Sequence, residues 1–328
     1  MARAQVLVEA YVAAGFAKIH LDCSMSCAGD LERLDDAVVA SRAARLARVA
    51  EDAASAAGRP GAVVYVIGTE VPVPGGAHES ITALTPTSAQ AARVTLAAHR
   101  AAFHDAGVDS AFDRVLGLVV QPGVEFDHLQ VVGYDHSRTA ALRGVTGEHP
   151  HLVFEAHSTD YQSVAALTEL VQDHWAILKV GPGLSFALRE ALMGLAAIED
   201  VLIPADRRSR LFEVVESAML TEPRWWQGYY PGEAAAQQLA RRFSYSDRIR
   251  YYWPRPEVRD AERRLFDNLT EIDLPLPLLS QYLPDQYTRI RNGTLAAEPR
   301  ALVLDRVRDV LRGYARACAP DVVRRSLS

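Results

Sequence analysis

The chain has 328 residues, of which 49% are hydrophobic and 23% are charged, so it can bury a large core and lacks the composition of a disordered protein. Its formal net charge of −6, with arginines spread through predicted helices, argues against a nucleic-acid-binding surface. No apolar run approaches the roughly 18 to 20 residues of a membrane span and no secretion signal is evident, so we expect a cytoplasmic protein without a membrane partner. The cysteines Cys23, Cys27 and Cys318 form no C-x-x-C pair and are expected to be reduced thiols.

Strands and helices are predicted to alternate through the first 205 residues. After a helix over residues 3–14, five short apolar runs are predicted as strands: Ala17–Asp22, Val63–Glu70, Val115–Gln121, Leu152–His157 and Trp175–Val180. The helices predicted after them are Asp35–Ala57, Thr87–Ala106, Tyr134–Val145, Tyr161–His174 and Leu184–Glu199. Because helix-length crossovers join parallel strands, this alternation predicts an α/β fold with a parallel sheet.

Only helices are predicted beyond residue 205. They cover Leu211–Met219, Val258–Leu269, Leu276–Ile290 and Leu302–Tyr314, with turns rich in proline or aromatic residues between them. No long flexible linker precedes them. We therefore expect one domain over residues 1–328, in which the helical residues 206–328 pack on the strand–helix repeats of residues 1–205.

Polar and glycine-rich segments follow all five predicted strands. In parallel α/β folds the carboxyl ends of the strands face the functional site, and unpaired polar groups are costly to bury. We therefore expect these segments to converge on one site. The polar residues that they contribute are Asp22, Glu70, Gln121, Glu125, His157, Asp160 and Lys179.

Glu70 and His157 are the best candidates for holding a divalent metal such as zinc, because a carboxylate and an imidazole on nearby barrel strands can share an ion. A single histidine at a strand end is also commonly a hydrogen-bonded structural residue, and that alternative stays open. His20 is expected on the helix-facing side of its strand, and it stays a possible ligand only. Walker and G-x-G-x-x-G motifs are absent, so no nucleotide cofactor is expected.

A phosphate site is predicted where the last predicted strand passes into a helix, because backbone N–H groups at a helix N-terminus can face an anion. A tight turn before the helix explains the same glycines, and Ser158 and Thr159 could instead cap the next helix. The residues expected to contact the phosphate are Ser158, Thr159, Lys179, Gly181, Gly183 and Ser185.

Arg248 and Arg250 lie among aromatic residues in the segment SYSDRIRYYWP. They could bind a phosphate bidentately, or they could anchor the C-terminal helices by packing their side chains. The sequence favours neither interpretation over the other.

The segments after the strands resemble those of one known family. KIHLDCSMSCAGD, YVIGTEVPVPGG, VVQPGVEFDH, EAHSTDYQ, ILKVGPGLSFALRE and SDRIRYYWP are similar to segments of the accessory, Z-type subunits of class II tagatose-bisphosphate aldolases, some of which were earlier labelled tagatose-6-phosphate kinases. The resemblance covers essentially the whole chain and implies a (β/α)8 TIM barrel. Family members carry three further strands before the segments matched here, so the five predicted strands would be strands four to eight of an incomplete barrel.

The resemblance also implies a function in tagatose, galactitol or N-acetylgalactosamine catabolism. One hypothesis is a non-catalytic subunit that stabilises a catalytic class II aldolase subunit, with self-association as a further interaction. The alternative is a metal-dependent C4 epimerase of tagatose 6-phosphate and fructose 6-phosphate, in which Asp22 or Glu125 moves the proton of the C4 hydroxyl. A third hypothesis is a sugar-phosphate-binding module without chemistry.

Overall fold

The structure is a computed structural model that describes residues 1–31, 34–69 and 84–319. The chain forms two compact units. The first holds the described residues up to Glu125 together with Val132–Lys179, and the second holds Phe126–Val131 and the described residues from Val180 onward. The predicted metal ligand Glu70 lies outside the described residues. The single domain expected over residues 1–328 stays a prediction.

Short parallel strands organise the first unit. The strands of the described residues are β1 (Lys18–His20), β2 (Val64–Ile67), β3 (Val115–Val119), β4 (Glu125–Phe126), β5 (Val131–Val132), β6 (Val153–Ala156) and β7 (Ile177–Leu178). Phe126 of β4 and Val131 of β5 belong to the second unit. Five of them form one parallel sheet in the order β1-β2-β3-β6-β7, and β4 and β5 form a separate pair. The predicted α/β class and the five parallel strands are confirmed, whereas the β4–β5 pair was not predicted.

The sheet is strongly curled, as in part of a barrel. β1 and β7 lie at its two edges, and in a flat sheet a spacing of about 4.8 Å per strand would put them roughly 19 Å apart. Instead, the side chain of His20 at the end of β1 comes within 2.7 Å of the Lys179 side chain just after β7. This approach requires the curvature of a barrel wall and fits the incomplete α/β barrel that was predicted.

Helices cover the outer face of the sheet. They are α1 (Ala2–Ala13), α2 (Asp36–Ala56), α3 (Ala89–Asp105), α4 (Asp109–Phe112), α5 (Ala140–Glu148) and α6 (Val164–Gln172). The hydroxyls of Ser88 and Ser163 cap α3 and α6 by accepting hydrogen bonds from backbone N–H groups of the first turn. The helix predicted from Tyr134 begins later, because a 3-10 turn over His136–Thr139 precedes α5.

The second unit is mostly helical. Its helices are α7 (Pro182–Leu202), α8 (Leu211–Thr221), α9 (Ala234–Phe243), α10 (Pro256–Thr270), α11 (Leu276–Tyr282), α12 (Pro284–Arg291) and α13 (Pro299–Cys318). The buried face of α7, with Leu192, Leu195 and Ile198, lies at the centre of their core. Where one helix was expected over Leu276–Ile290 there are two, because Pro284 lacks an amide hydrogen and forces Leu283 out of the helical conformation.

The second unit differs from the expected elements in two further ways. The short helix α9 was not predicted, and α7, which we had grouped with the strand–helix repeats, packs with the C-terminal helices. Among the helices that the structure describes, none combines the length and the apolar character that crossing a membrane would require.

Candidate functional site

Four polar side chains of the first unit meet at the carboxyl end of the parallel sheet. His20 ends β1, Glu155 lies in β6, His157 follows β6 by one residue, and Lys179 follows β7 directly. Glu155 and His157 are two residues apart, so the alternation of an extended chain points both to the same side. We call these four residues the strand-end cluster.

The position of His20 corrects our expectation that it faces the helices. Its neighbour Ile19 is paired in register with Tyr65, and the Tyr65 ring packs edge-on against Phe103 of α3. Tyr65 and Ile19 therefore face the helices, and His20 faces the opposite side. The prediction was wrong because it did not follow the alternation from a residue known to face the helices.

Glu155 is the centre of the strand-end cluster. Its Oε1 lies 2.8 Å from Nε2 of His157, 2.8 Å from Nζ of Lys179 and 3.3 Å from Nδ1 of His20. Nζ of Lys179 also lies 2.7 Å from Nδ1 of His20. The Glu155 side chain is completely buried, whereas Lys179 keeps 41% of its side chain exposed. The cluster thus has a buried carboxylate at its base and an ammonium group at its open side.

Burial and hydrogen bonding set the charges of two of these groups. Burial by itself would raise the pKa of Glu155, but hydrogen bonds from His157 and Lys179 outweigh it and lower that pKa to about 2. Burial lowers the pKa of His20 to about 4, although the Glu155 and Asp22 charges oppose this. Near neutral pH, Glu155 is therefore ionised and His20 is a neutral imidazole, the forms in which both bind metals.

The donor atoms of the cluster fit a divalent metal. One ligand atom from each of His20, Glu155 and His157 can be chosen so that all lie within 4.8 Å of one another. Oε2 of Glu155 and Nε2 of His20 are buried and have no hydrogen-bond partner in the described parts of the chain, a costly arrangement that a bound ion would relieve. Two imidazoles and a carboxylate are a donor set typical of zinc and other divalent metals.

The two predicted proton-transfer residues have different surroundings. Asp22 is exposed, its Oδ1 accepts a 2.9 Å hydrogen bond from the Ser24 hydroxyl, and its charge acts on His20. Glu125 is buried in β4, and its catalytic role stays a prediction. Gln121, another predicted strand-end residue, accepts hydrogen bonds from the backbone of Gly123 and Val124 and so shapes the turn after β3.

The loop after β6 holds Lys179 in place. The buried hydroxyl of Thr159 donates a 2.7 Å hydrogen bond to the Lys179 carbonyl, and the backbone N–H of Thr159 points to the same oxygen. Ser158 precedes it with φ at 52°, a left-handed turn. Thr159 thus has a structural partner at the position where we expected phosphate, and the phosphate contacts of Ser158, Thr159 and Lys179 stay predictions.

The predicted glycine-rich phosphate segment lies in the second unit. Gly181 is the N-cap residue of α7, and Gly183 lies inside the helix, which begins two residues earlier than predicted. The Ser185 hydroxyl donates a 2.6 Å hydrogen bond to Oδ2 of Asp247. Ser185 is therefore engaged with a buried carboxylate, and anion binding by Gly181, Gly183 and Ser185 stays a prediction.

The contacts of Arg248 and Arg250 favour the packing interpretation. Arg248 is buried, its guanidinium lies 3.3 Å from the centroid of the Tyr229 ring, and it donates to the carbonyl of Trp225. Arg250 donates to the carbonyl of Asp247 and lies over Tyr251. Both side chains join the helices and turns of the second unit, as anchors between aromatic rings would.

Glu155 is the important residue that the sequence interpretation missed. It is the charged residue within the apolar run Leu152–Ala156, and its side chain points to the same side of the strand as that of His157. Glu155 was therefore a candidate for a buried, paired carboxylate. Arg189, which pairs with Asp247 at 2.7 Å, was also missed. Its position in a regular helical pattern gave no signal, because long charged side chains on helices are usually exposed.

Two comparisons with known proteins agree with this description. The model of the family described as D-tagatose-1,6-bisphosphate aldolase subunit GatZ/KbaZ-like matches residues 1–319. A crystal structure of a probable tagatose 6-phosphate kinase from Sinorhizobium meliloti 1021 is 50% identical, with a TM-score of 0.86, and the match covers 97% of this chain and 77% of that chain. The chain belongs to the GatZ/KbaZ-like family of D-tagatose-1,6-bisphosphate aldolase subunits.

Proposed function

We propose that this chain is a metal-assisted enzyme that interconverts tagatose 6-phosphate and fructose 6-phosphate by inverting C4. The strand-end cluster supports this proposal, because a buried carboxylate and two imidazoles meet at the end of the sheet where barrel enzymes carry out their chemistry. The charges of Glu155 and His20 are already those that metal binding needs. Membership in a tagatose-bisphosphate aldolase subunit family supports a sugar-phosphate substrate.

Inversion at C4 can proceed by breaking and re-forming one carbon–carbon bond. A base removes the C4 hydroxyl proton, the C3–C4 bond breaks, and its electron pair passes to C3 and the C2 carbonyl oxygen. The products are an enediolate and an aldehyde that carries the phosphate. The aldehyde then presents its other face, the bond re-forms, and the proton returns to the C4 oxygen. No oxidant or second substrate is needed.

His20, Glu155 and His157 would hold the divalent metal, which would supply Lewis-acid stabilisation of the negative charge on the C2 oxygen. Asp22 is the preferred base, because it is exposed and lies near enough to His20 for its charge to raise the pKa of that imidazole. The partly exposed ammonium of Lys179 would bind an anionic oxygen of the substrate. Thr159 would position Lys179 through its hydrogen bond to the backbone.

The test is an assay of purified protein with tagatose 6-phosphate, before and after chelation and with divalent metals added back. We expect metal-dependent formation of fructose 6-phosphate, and a loss of about 10²- to 10³-fold in kcat/KM for Glu155→Gln and His157→Asn. The control His104→Asn replaces an exposed histidine of α3 that pairs with the exposed Asp109, and it should keep full activity. Metal content and thermal unfolding of each variant separate loss of the site from loss of folding.

The subunit role is the second candidate, favoured by the family description and by exposed apolar side chains on α1, where Val6, Leu7 and Tyr11 are 67%, 52% and 45% exposed. Such a role requires a surface and not a metal site. In that case a class II tagatose-bisphosphate aldolase subunit should stay active for the same time with Glu155→Gln as with the unchanged chain. If the stabilising effect on the aldolase subunit did not depend on metal, and tagatose 6-phosphate were not converted with or without metal, the epimerase proposal would be contradicted and this role favoured.

A further inference from the structure

A cavity of about 560 Å³ lies in the first unit, away from the strand-end cluster. Its lining includes Val115, the first residue of β3, and Leu152, which directly precedes β6. Val119 of β3 is paired in register with Glu155, so about four residues of strand, or roughly 13 Å, separate the cavity from the strand-end cluster. The cavity therefore opens at the amino end of the sheet, opposite the proposed catalytic site.

One wall of the cavity is apolar. It consists of Leu96 from α3, Phe112 from α4, Val115 and Leu152, and the four side chains are largely buried. A cavity of this volume is large enough for a small organic molecule, and such walls commonly take the hydrocarbon part of a ligand.

Two arginines from the same face of α3 as Leu96 also line the cavity. Arg93 and Arg100 are seven residues apart, which is close to two helical turns. Arg93 is neutralised by Glu148 of α5, whose carboxylate accepts hydrogen bonds of 3.0 Å and 2.6 Å from its guanidinium. Arg100 lies 4.5 Å from the centroid of the Phe112 ring and, within the described residues, has no hydrogen bond or ion pair. Its N–H groups are therefore available to a ligand.

His149 and His151, just after α5, also line the cavity. Neither imidazole has a hydrogen-bond partner in the described part of the chain. Together with Arg100 they supply several donors that no oxygen of the described residues accepts, next to an apolar surface. Asp113 also lines the cavity and would repel a second anionic group, so the lining favours a ligand with one such group.

We propose that this cavity binds a small organic anion, in which one carboxylate or phosphate group contacts Arg100, His149 and His151 and an apolar body lies on Leu96 and Phe112. The Arg100 guanidinium lies over Phe112, and N–H groups of a guanidinium can donate two parallel hydrogen bonds to such a group. A bound ligand would connect α3 with the end of α5 and stabilise the first unit. The site is distinct from the one proposed for catalysis.

The test uses calorimetric titration and thermal unfolding of the full chain with phenyl phosphate, phenylacetate and the uncharged benzyl alcohol. We expect saturable binding of at least one of the two anions, with the binding of benzyl alcohol at least tenfold weaker. Arg100→Met keeps a side chain over Phe112 but removes the charge, and it should weaken anion binding tenfold or more. The control Arg45→Met replaces an exposed arginine of α2 outside the cavity and should change nothing.

Binding of phenyl phosphate alone would assign the site to phosphate esters, and binding of phenylacetate alone would assign it to carboxylates; both support the proposal. It would be overturned by equal affinity in Arg100→Met, by equal affinity for benzyl alcohol, or by the absence of saturable binding of either anion. Lys179→Met should bind the anions as the unchanged chain does, and a loss in that variant would place the anion at the strand-end cluster instead, where Lys179 is the partly exposed cation.

Discussion

Two buried carboxylates, one in each unit, have similar partners but different capacities for chemistry. Oε1 of Glu155 contacts His157 and Lys179, while its Oε2 has no partner in the described residues. Both oxygens of Asp247 are used, since Oδ1 accepts from Arg189 at 2.7 Å and Oδ2 accepts from Ser185 at 2.6 Å. Glu155 can therefore take a further cation, whereas Asp247 completes a structural pair.

The pKa values of the two groups shift in opposite directions. Burial raises the pKa of Asp247 in spite of Arg189 and Ser185, and hydrogen bonding lowers that of Glu155 in spite of burial. Arg189 also donates to the carbonyl of Arg242 in α9, so the Asp247 pair ties α7 to the end of α9. A buried, charged pair by itself thus does not identify a functional site; an unsatisfied ligand atom is the more specific sign.

The largest effect that this comparison predicts is on stability. Asp247→Asn leaves the buried guanidinium of Arg189 without its counter-charge and should lower the free energy of unfolding by about 3–5 kcal/mol. Urea unfolding measures it, with Asp260→Asn as the control, because Asp260 and Arg263 form an exposed pair that contributes little. If Asp247→Asn lowered the free energy of unfolding no more than the control does, the Arg189–Asp247 pair would not be important for stability.

A smaller effect, on the affinity for a divalent metal, is expected when the Lys179 ammonium is removed from the strand-end cluster. Lys179 is the cation that now contacts both Glu155 and His20, so a metal ion has to compete with it for their charge and lone pairs. Lys179→Met should therefore bind a divalent metal about tenfold more tightly, which corresponds to about 1.4 kcal/mol. Titration against a chromophoric chelator measures this affinity.

Lys179→Arg is the control for that substitution, because it keeps the positive charge and should leave the metal affinity close to that of the unchanged chain. Weaker metal binding by Lys179→Met would mean that the ammonium supports the ligands instead of competing with an ion.

Much of the fold follows from local patterns. The alternation of apolar runs with helical periodicity is a property of neighbouring residues, and it identified all five strands of the parallel sheet. Among the elements that were missed, α9 has only two large apolar residues, Leu239 and Phe243, and β4 and β5 are two residues long. The division of Leu276–Ile290 was predictable from Pro284, which ends the preceding helix for steric reasons.

The site was harder to predict, because it depends on which strands the curled sheet brings together. His157 and Lys179 were chosen for their positions after strands, and both lie in the strand-end cluster. The approach of His20 to Glu155 crosses two intervening strands, and no spacing along the chain encodes it. The sequence also did not reveal whether Arg248 is exposed and able to bind phosphate. In the structure its guanidinium instead lies over the Tyr229 ring and donates to the carbonyl of Trp225.

The smallest predicted effect concerns a third buried carboxylate, Asp305 of the second unit, and tests whether hydrogen bonds outweigh burial there as they do at Glu155. Asp305 accepts hydrogen bonds from Arg312 at 2.7 Å, from Gln286 at 3.1 Å and from Arg289. Burial would raise its pKa, but these donors together lower it. It therefore resembles Glu155 and not Asp247, although it shares a unit with Asp247.

A carboxylate whose pKa is lower in the folded chain stabilises the fold above its unfolded pKa, about 3.9 for aspartate, and loses that effect as the pH falls through its folded pKa. We therefore expect Asp305→Asn to be less stable than the unchanged chain at about pH 6, and the difference to shrink as the pH falls below about 4. Urea unfolding of both proteins over this range measures it. A difference that widened in acid would mean that the pKa of Asp305 is raised, as that of Asp247 is, and that its hydrogen bonds do not outweigh burial.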